Sequence, residues 1–249
     1  NLVDGVFKPS VSGEWLDVES PTTGTTCRRV TLSTAADVDE AVAAAKAAFP
    51  AWSRLTVKRR AAIMFKFHEL LDTHADELAE LVVMENGKNK GEAIAGVAKG
   101  NETVEWACSL PQLVQGKYLQ VSGGITCHEV RDPIGVVACV VPFNFPAMVP
   151  MWTAPIALTC GNCVIVKPSE KVPATMTRMA ELLLEAGVPK GVFQIVNGTV
   201  PVVNALCDHP DIAGLTFVGS SRVAKIVADR CQSLGKKCIA LGGAKNHLV

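Results

Sequence analysis

The chain has 249 residues, and its 24 Lys and Arg residues balance its 24 Asp and Glu residues. This balance argues against nucleic acid or an anionic membrane surface as a partner, because no bulk charge would attract either one. No apolar stretch approaches the ~20 residues of a membrane span, and a hydrophobic fraction of 49% with 19% charged residues is typical of a globular α/β protein.

The first 117 residues are predicted to contain short strands followed by helices. Residues 6–18 and 27–30 have strand-like composition around Pro21. Ser and Thr then open an alanine-rich segment whose capping residues and apolar period indicate the start of an amphipathic helix. The helices of this region are predicted over 33–49, 58–72, 76–86 and 91–109. We expect residues 1–117 to pack on the domain that follows.

Residues 118–131 alternate around Gly123 and Gly124, which predicts a β-hairpin. This hairpin has few local partners, and an isolated two-stranded hairpin is marginally stable in water. We therefore expect it to project from the molecule and to pair with another subunit, so that the protein forms a homo-oligomer, either a dimer or a tetramer.

From residue 132 to residue 249 the sequence alternates strands and helices about every 25 residues. Such a series of short connections predicts an α/β fold, with a Rossmann-like parallel sheet, right-handed crossovers and flanking helices. The helices are predicted over 147–159, with a kink at Pro155, and over 174–186, 200–207 and 221–234. The strands are predicted over 135–141, 163–167, 192–197, 214–218 and 237–241.

Three groups of polar residues follow strands of this predicted sheet, where open α/β sheets bind their ligands. Asn144 follows the first strand, and its alternative interpretation is a turn or helix-cap residue. Lys167 and Glu170 follow the second strand and suit the hydroxyls of a ribose, unless they form only a surface ion pair. A glutamate there would repel a 2′-phosphate, which favours NAD over NADP.

Gly219 and Ser220 follow the fourth strand and lead directly into a helix. The glycine lets the backbone approach a ligand, and the helix N-terminus presents free N–H groups to a phosphate. A serine that only caps the helix is the alternative. All three groups fall at the same edge of the sheet, which favours one binding site.

Nine cysteines are scattered through the sequence, mostly within apolar runs. This distribution indicates buried thiols in a reducing, intracellular compartment: the cytoplasm in a bacterium or the mitochondrial matrix in a eukaryote. Cys160 and Cys163 have the CxxC spacing, but no second ligand pair is evident for zinc, and they precede a strand rather than a helix. We interpret them as packing residues and expect no metal site.

Four motifs in this order and spacing resemble the aldehyde dehydrogenase superfamily: PFNFP (142–146), KPSE (167–170), FVGSS (217–221) and LGGAKN (241–246). The resemblance covers the whole chain and includes SGEW near the start and ENGK at 85–88. Within the superfamily, Phe143 and the segment GAKNH (243–247) are similar to the CoA-acylating methylmalonate-semialdehyde dehydrogenases.

The resemblance implies a role for each residue that matches a family motif. Asn144 would donate its amide to the oxyanion that forms when a cysteine thiolate attacks an aldehyde, before hydride passes to NAD. Lys99 matches a position that holds the substrate carboxylate, although a solvated helix lysine is the alternative. The implied contacts to the cofactor come from Val141, Phe143, Lys167, Glu170, Lys171, Gly219, Ser220 and Gly242.

Ala240 stands where hydrolytic members carry a glutamate that activates water. The resemblance therefore implies an acyl enzyme that a thiol, coenzyme A, releases as propionyl-CoA or acetyl-CoA; simple strand packing also accommodates an alanine. The family's nucleophilic cysteine lies downstream of the glycine pair, and we expect it beyond Val249, so that this chain lacks the catalytic domain and is inactive alone. The remaining alternatives are an aldehyde dehydrogenase that releases a free acid and a non-catalytic module that binds NAD or assembles with another subunit.

Overall fold

A seven-stranded mixed sheet lies at the centre of the computed structural model, which describes residues 1–243. Two further pairs of strands, β3–β4 and β5–β6, form separate antiparallel hairpins. The strands are β1 (Leu2–Val3), β2 (Val6–Phe7), β3 (Trp15–Ser20), β4 (Thr25–Thr31), β5 (Lys117–Ser122), β6 (Ile125–Glu129), β7 (Val136–Val140), β8 (Cys163–Lys167), β9 (Phe193–Ile195), β10 (Ile212–Val218) and β11 (Lys237–Leu241).

Helices connect and flank the strands. Within the described part of the chain they are α1 (Ala35–Ser53), α2 (Val57–Thr73), α3 (Ala75–Asn86), α4 (Lys90–Cys108), α5 (Leu110–Leu113), α6 (Met148–Met151), α7 (Ala154–Thr159), α8 (Pro173–Glu185), α9 (Val200–Asp208) and α10 (Ser221–Ser233). None of these described helices is both long and apolar enough to cross a membrane.

Five parallel strands, in the order β11-β10-β7-β8-β9, form the part of the sheet that positions the site. The chain runs outward from β7 through β8 to β9, and then returns to place β10 on the other side of β7. The direction of winding therefore reverses between β7 and β10, and such a reversal opens a crevice beyond the carboxyl ends of the two strands.

The core covers both faces of β7 and β8, whose residues are all buried. This burial explains their continuous apolar sequences, because a strand in the middle of a parallel sheet has no face in contact with water. Among the largest buried side chains are Trp52, Phe67 and Phe193. The indole N–H of Trp52 donates to the carbonyl of Leu158 at 3.2 Å, which ties α1 to α7.

The predicted α/β class and the five predicted parallel strands are confirmed. The helix predicted over 147–159 is instead divided into α6 and α7. Pro155 lies in the first turn of α7, where its missing N–H breaks no helical bond, so the proline begins a new helix rather than kinking a continuous one.

The predicted strand over 6–18 is wrong in its bounds. A tight turn at Asp4 and Gly5, both with positive φ, folds β2 back on β1. Strand β1 then pairs antiparallel with β9 through Leu2 and Ile195, so the N-terminus extends the main sheet. Residues 27–30 do form a strand, as part of β4.

The predicted hairpin is confirmed as β5 and β6, whose residues are all exposed. Its exposed residues include Tyr118, Leu119, Val121 and Ile125. All nine cysteines are free thiols. Cys163 lies within β8 and is fully buried, as expected of a packing residue.

Candidate functional site

A cleft of about 770 Å³ lies at the carboxyl ends of β7, β10 and β11. The loop after β7 and the loop between β10 and α10 form its two sides, and the residues that follow β11 close it. Strand register sets this arrangement: Val140 pairs with Phe217 on one side, and Phe217 pairs with Ala240 on the other. The cleft therefore occupies the crevice that the reversal of winding creates.

Asn144 lies on the β7 side of this cleft and is exposed. Val141 continues the sheet pairing by donating its N–H to the carbonyl of Lys167 at 3.2 Å, and Pro142, which has no N–H, then ends it. Within residues 1–243, no hydrogen bond forms to the amide side chain of Asn144. Among the described residues, that amide is therefore an unpartnered donor at the mouth of the cleft.

The N-terminus of α10 forms the opposite side of the cleft. Ser220 is the N-cap, and its carbonyl accepts the first helical bond, from Ala224 N–H at 2.9 Å. The N–H groups of the three residues before Ala224 have no hydrogen-bond partner in the described chain. Free N–H groups and the positive end of the helix dipole make this a suitable site for a phosphate.

Gly219 and Gly242 keep the backbone beside this helix end compact. A Cβ on Gly219 would lie 2.6 Å from a ring atom of Phe217, and a Cβ on Gly242 would lie 2.9 Å from the Cα of Ser221. The hydroxyl of Ser221 accepts a bond from the N–H of Gly243 at 2.9 Å. A larger residue at either glycine would therefore collide with Phe217 or Ser221 beside the start of α10.

A second cleft, of about 440 Å³, adjoins the first, and Phe143 lines both. Glu170 and Lys171 line the second cleft, and the ammonium of Lys171 lies 5.2 Å from the centroid of the Phe143 ring. Together the two clefts provide an extended track, with a carboxylate at one end and a helix N-terminus at the other.

Glu170 is ionised at neutral pH. Burial raises the pKa of Glu170, but the Lys167 ammonium 3.0 Å from its Oε2 lowers it, and the net result is a pKa below the ordinary 4.5. Lys167 itself is buried, with a side chain 7% exposed, whereas the Glu170 side chain is 27% exposed and reaches the cleft. The lysine thus holds a charged carboxylate at the cleft surface.

The structure brings most of the residues singled out from the sequence together. Phe143, Asn144, Gly219, Ser220 and Gly242 line the larger cleft, and Phe143, Glu170 and Lys171 line the smaller one. Val141 and Lys167 are buried immediately behind them. The motif residues 244–247 lie outside the described residues.

Lys99 lines neither cleft. Its ammonium lies 2.8 Å from a carboxylate oxygen of Glu102 on the exposed face of α4, and its side chain is 63% exposed. Sequence reasoning missed Met148 and Trp152, which also line the larger cleft. Apolar residues such as these are usually part of a core, so their type alone did not indicate a cleft. The one available signal was that the helix after β7 begins close to the end of that strand, which places its first residues near the ligand-binding edge of the sheet.

Ala240 lines the larger cleft, and no Asp or Glu lines it within residues 1–243. The described residues also contain no group of three His, Cys, Asp or Glu side chains that could hold a metal ion. The chemistry available in this part of the cleft is therefore hydrogen-bond donation from Asn144 and from the α10 N-terminus.

The aldehyde dehydrogenase family model matches residues 7–249. The chain belongs to the aldehyde dehydrogenase family. This membership confirms the resemblance in the sequence motifs.

Among curated members of the aldehyde dehydrogenase family, malonate-semialdehyde dehydrogenase 1 of Geobacillus kaustophilus is 49% identical over 250 residues, which cover 100% of this chain and 51% of the relative. The malonate-semialdehyde dehydrogenase of Lacticaseibacillus casei is 46% identical over an aligned region that includes 98% of this chain and 51% of the relative. The chain thus spans about half the length of the curated relatives it matches.

Solved structures of the family have the same fold. A methylmalonate-semialdehyde dehydrogenase of Oceanimonas doudoroffii matches with a TM-score of 0.96 at 40% identity, covering 99% of this chain and 50% of its own. A Sinorhizobium meliloti 1021 protein assigned as a methylmalonate-semialdehyde dehydrogenase, solved with NAD, matches with a TM-score of 0.97 at 39% identity and the same two coverages.

Proposed function

We propose that this chain binds NAD⁺ along the two adjoining clefts and carries the oxyanion donor of an enzyme that oxidises malonate or methylmalonate semialdehyde. The observation that carries the proposal is the convergence of Asn144 and the α10 N-terminus on one cleft at the reversal of winding. The names of the relatives and the NAD complex of one of them support the substrate class and the cofactor.

The two clefts fit the chemical groups of NAD⁺. The N–H groups at the start of α10 suit the pyrophosphate. The carboxylate of Glu170, with Lys167 behind it, suits the ribose hydroxyls of the adenosine end. When bound, the cofactor supplies a hydride acceptor.

Glu170 is the basis for proposing NAD⁺ rather than NADP⁺. Its carboxylate is ionised and reaches the cleft, so a 2′-phosphate on the ribose would meet a like charge. Lys171 lines the same cleft and would offset part of this repulsion.

Asn144 would stabilise the negative charge that develops on the aldehyde oxygen when a thiolate attacks the carbonyl carbon. A fixed, uncharged N–H donor contributes little before attack and much more once the oxygen is charged, so it lowers the barrier of the chemical step. The attacking cysteine belongs to a segment that we propose follows this chain, and we expect the 249-residue chain alone to show no turnover.

We further propose that coenzyme A, rather than water, releases the acyl group. Ala240 has no proton-accepting side chain, and no carboxylate from the described residues lines the larger cleft to activate water. A thiol acceptor does not need such a base to the same degree, because its thiolate is accessible near neutral pH. The expected products are propionyl-CoA from methylmalonate semialdehyde and acetyl-CoA from malonate semialdehyde, and in each case the substrate carboxylate must leave as CO₂ for the carbon atoms to balance.

The substrate carboxylate requires a cationic partner, and the pairing of Lys99 with Glu102 at the exposed face of α4 gives no support for that role. We therefore base the semialdehyde proposal on the relatives and not on Lys99. We also propose a reducing compartment, which the nine free thiols favour, and a homo-oligomer, which the exposed hairpin favours.

Calorimetric titration of the 249-residue chain with NAD⁺ and NADP⁺ tests the cofactor proposal. We expect NAD⁺ to bind more tightly, and Glu170→Gln to reduce the difference. Glu181→Gln is the matched control, because Glu181 also forms an i,i+3 ion pair, with Arg178, but lines neither of the two clefts. Equal affinities of the unmodified chain for both cofactors would contradict the role of Glu170.

A second assay tests the reaction. The chain is extended with the remaining half of the Geobacillus kaustophilus relative and incubated with malonate semialdehyde and NAD⁺, with and without coenzyme A. We expect acyl-CoA as the product and little free acid. Ala240→Glu should raise release of free acid when coenzyme A is absent.

A further inference from the structure

The turn at the end of α3 contacts the loop that carries Asn144 on both sides of that residue. The side-chain Nδ2 of Asn86 donates to the carbonyl of Phe143 at 2.8 Å. Two residues later, the ammonium of Lys88 lies 3.6 Å from the centroid of the Phe145 ring, a cation–π contact. The residues before and after Asn144 are thus both held by this turn, which we call the α3 turn (residues 86–88).

The α3 turn is itself firmly anchored. Glu85, whose side chain is 0% exposed, pairs with Nε of Arg28 on β4 at 2.8 Å and accepts from the N–H of Ala174 in the first turn of α8 at 2.9 Å. Gly87 then ends the helix with a φ of +75° and donates its N–H to Val83 at 3.0 Å. A non-glycine residue would be strained at that φ.

The loop after β7 has few other supports. Its backbone bonds are from Val141 N–H to Lys167 and from Val149 N–H to Phe145, so they lie before and after the segment 142–144. In the described chain, the peptide that links Phe143 to Asn144 has Asn86 as its hydrogen-bond partner. A peptide unit is planar, so fixing the Phe143 carbonyl also fixes the Cα of Asn144.

We propose that Asn86 is a positioning residue for Asn144, with Lys88 as a second contact, and that the α3 turn holds the donor amide in the cleft. The effect of Asn86 on turnover rests on the function proposed above for Asn144, whereas its effect on the conformation of the loop is independent of that function. A donor displaced by about 1 Å loses much of its effect on the transition state, a cost of up to about 10²-fold in rate.

Backbone ¹⁵N relaxation of the 249-residue chain tests the positioning directly. We expect order parameters near ~0.85 for Asn144 and Phe145 in the unmodified chain, and below ~0.6 in Asn86→Asp, whose side chain has the same shape but cannot donate. Gln232→Glu is the control for the added charge, because it also puts a carboxylate in the last turn of a helix, at an exposed side chain that has no hydrogen-bond partner in the described chain. It should leave both order parameters unchanged.

Lys88→Met gives a second variant that keeps the Asn86 bond. It should lower the order parameter of Phe145 more than that of Asn144. Unchanged order parameters in Asn86→Asp, an equal loss in Gln232→Glu, or a loop already below ~0.6 in the unmodified chain would each overturn the proposal.

The extended enzyme described above provides the catalytic readout. Asn86→Asp should lower kcat by roughly ten- to hundredfold, whereas Gln232→Glu should leave kcat unchanged. If Asn144→Ala leaves kcat unchanged, the proposed function of Asn144 fails, and the order parameters still decide whether Asn86 fixes the loop. If Asn144→Ala lowers kcat but Asn86→Asp does not, the positioning role fails alone.

Discussion

The ammonium of Lys167, buried at the end of β8, lies 3.0 Å from the carboxylate of Glu170 at the surface of the smaller cleft. A buried cation thus maintains the charge of an accessible anion. Removing the lysine would leave the desolvation of Glu170 uncompensated, which costs more than the pair itself contributes.

We predict that the NAD⁺ affinity of the unmodified chain is constant from about pH 8 to pH 5.5, because the pKa of Glu170 lies below the ordinary 4.5. In Lys167→Met the burial that raises this pKa is opposed only by the backbone hydrogen bond of Glu170 and by the charge of Lys171, so Glu170 takes up a proton at higher pH. Affinity should then be lower and should decline as the pH falls through this range. Calorimetric titrations at several pH values measure both curves, and parallel curves would contradict the prediction.

We predict that Asp37→Asn lowers the free energy of unfolding by about 1–3 kcal/mol. Burial raises the pKa of Asp37, but hydrogen bonds from Thr34 N–H, Ser10 Oγ and Val11 N–H outweigh it, so the pKa lies below the ordinary 3.8. In Asp37→Asn one carboxylate oxygen becomes an NH₂ group, which cannot accept a hydrogen bond from these donors, so at least one buried donor loses its partner.

The lowered pKa of Asp37 also predicts how the stability of the fold changes in acid. A carboxyl whose pKa is lower in the folded state stabilises the fold above about pH 3.8, and this contribution is lost as the pH falls below that value. Urea unfolding at pH 7 and below pH 4 should show that the difference between Asp37→Asn and the unmodified chain shrinks in acid. Asp39→Asn, on the exposed side of the same helix, is the control and should have little effect at either pH.

We predict that Asn144→Ala lowers kcat of the extended enzyme by about 10²–10³-fold, the cost of removing one oxyanion donor. The same substitution in the 249-residue chain should leave NAD⁺ affinity within about twofold, because this donor serves charge on the aldehyde oxygen. Gln112→Ala, at an exposed glutamine on α5, is the control. A large loss of cofactor affinity with unchanged kcat would assign Asn144 to the cofactor instead.

We predict that Leu119→Lys together with Val121→Lys lowers the oligomeric state. Both residues lie on β5, and their exposed fractions are 61% and 54%. Because neither is buried within the subunit, the double variant should keep its thermal stability as a subunit while losing association, measured by light scattering. Val200→Lys, 68% exposed at the start of α9, is the control. An unchanged molar mass would contradict the role of the hairpin.

The strands that build the site could be predicted because each one is a short apolar run that is visible in the sequence itself. Strands β8 and β11 begin and end at the predicted residues: Asn162 and Pro168 flank β8, and Gly242 follows β11. The i,i+3 spacing of Lys167 and Glu170 likewise indicated the ion pair that the structure contains. The convergence of Asn144 and Ser220 followed from parallel strands having their carboxyl ends at one edge.

Other features depend on contacts between distant parts of the chain. Strand β1 joins the main sheet by pairing Leu2 with Ile195, which lies far along the chain. A two-residue strand has no hydrophobic periodicity that sequence analysis could detect, so β1 and β2 were not predicted in this sheet. The bond from Asn86 to Phe143 joins a helix end to a loop, and the Asn-Gly pair indicated only where α3 stops. The ring of Phe143 lies between the two clefts, and sequence gave no indication of this shared position.

The placement of β10 beside β7 has a consequence for the order of assembly. Strands β7, β8 and β9 can associate as the chain emerges, each beside its predecessor, but the larger cleft lacks its second side until β10 inserts on the opposite flank of β7. A long-range pairing of this kind forms late, because the intervening segment must first be ordered. Cofactor affinity would therefore appear only with the last strands of the sheet, and a dinucleotide in the surrounding solution would selectively stabilise chains that have finished folding.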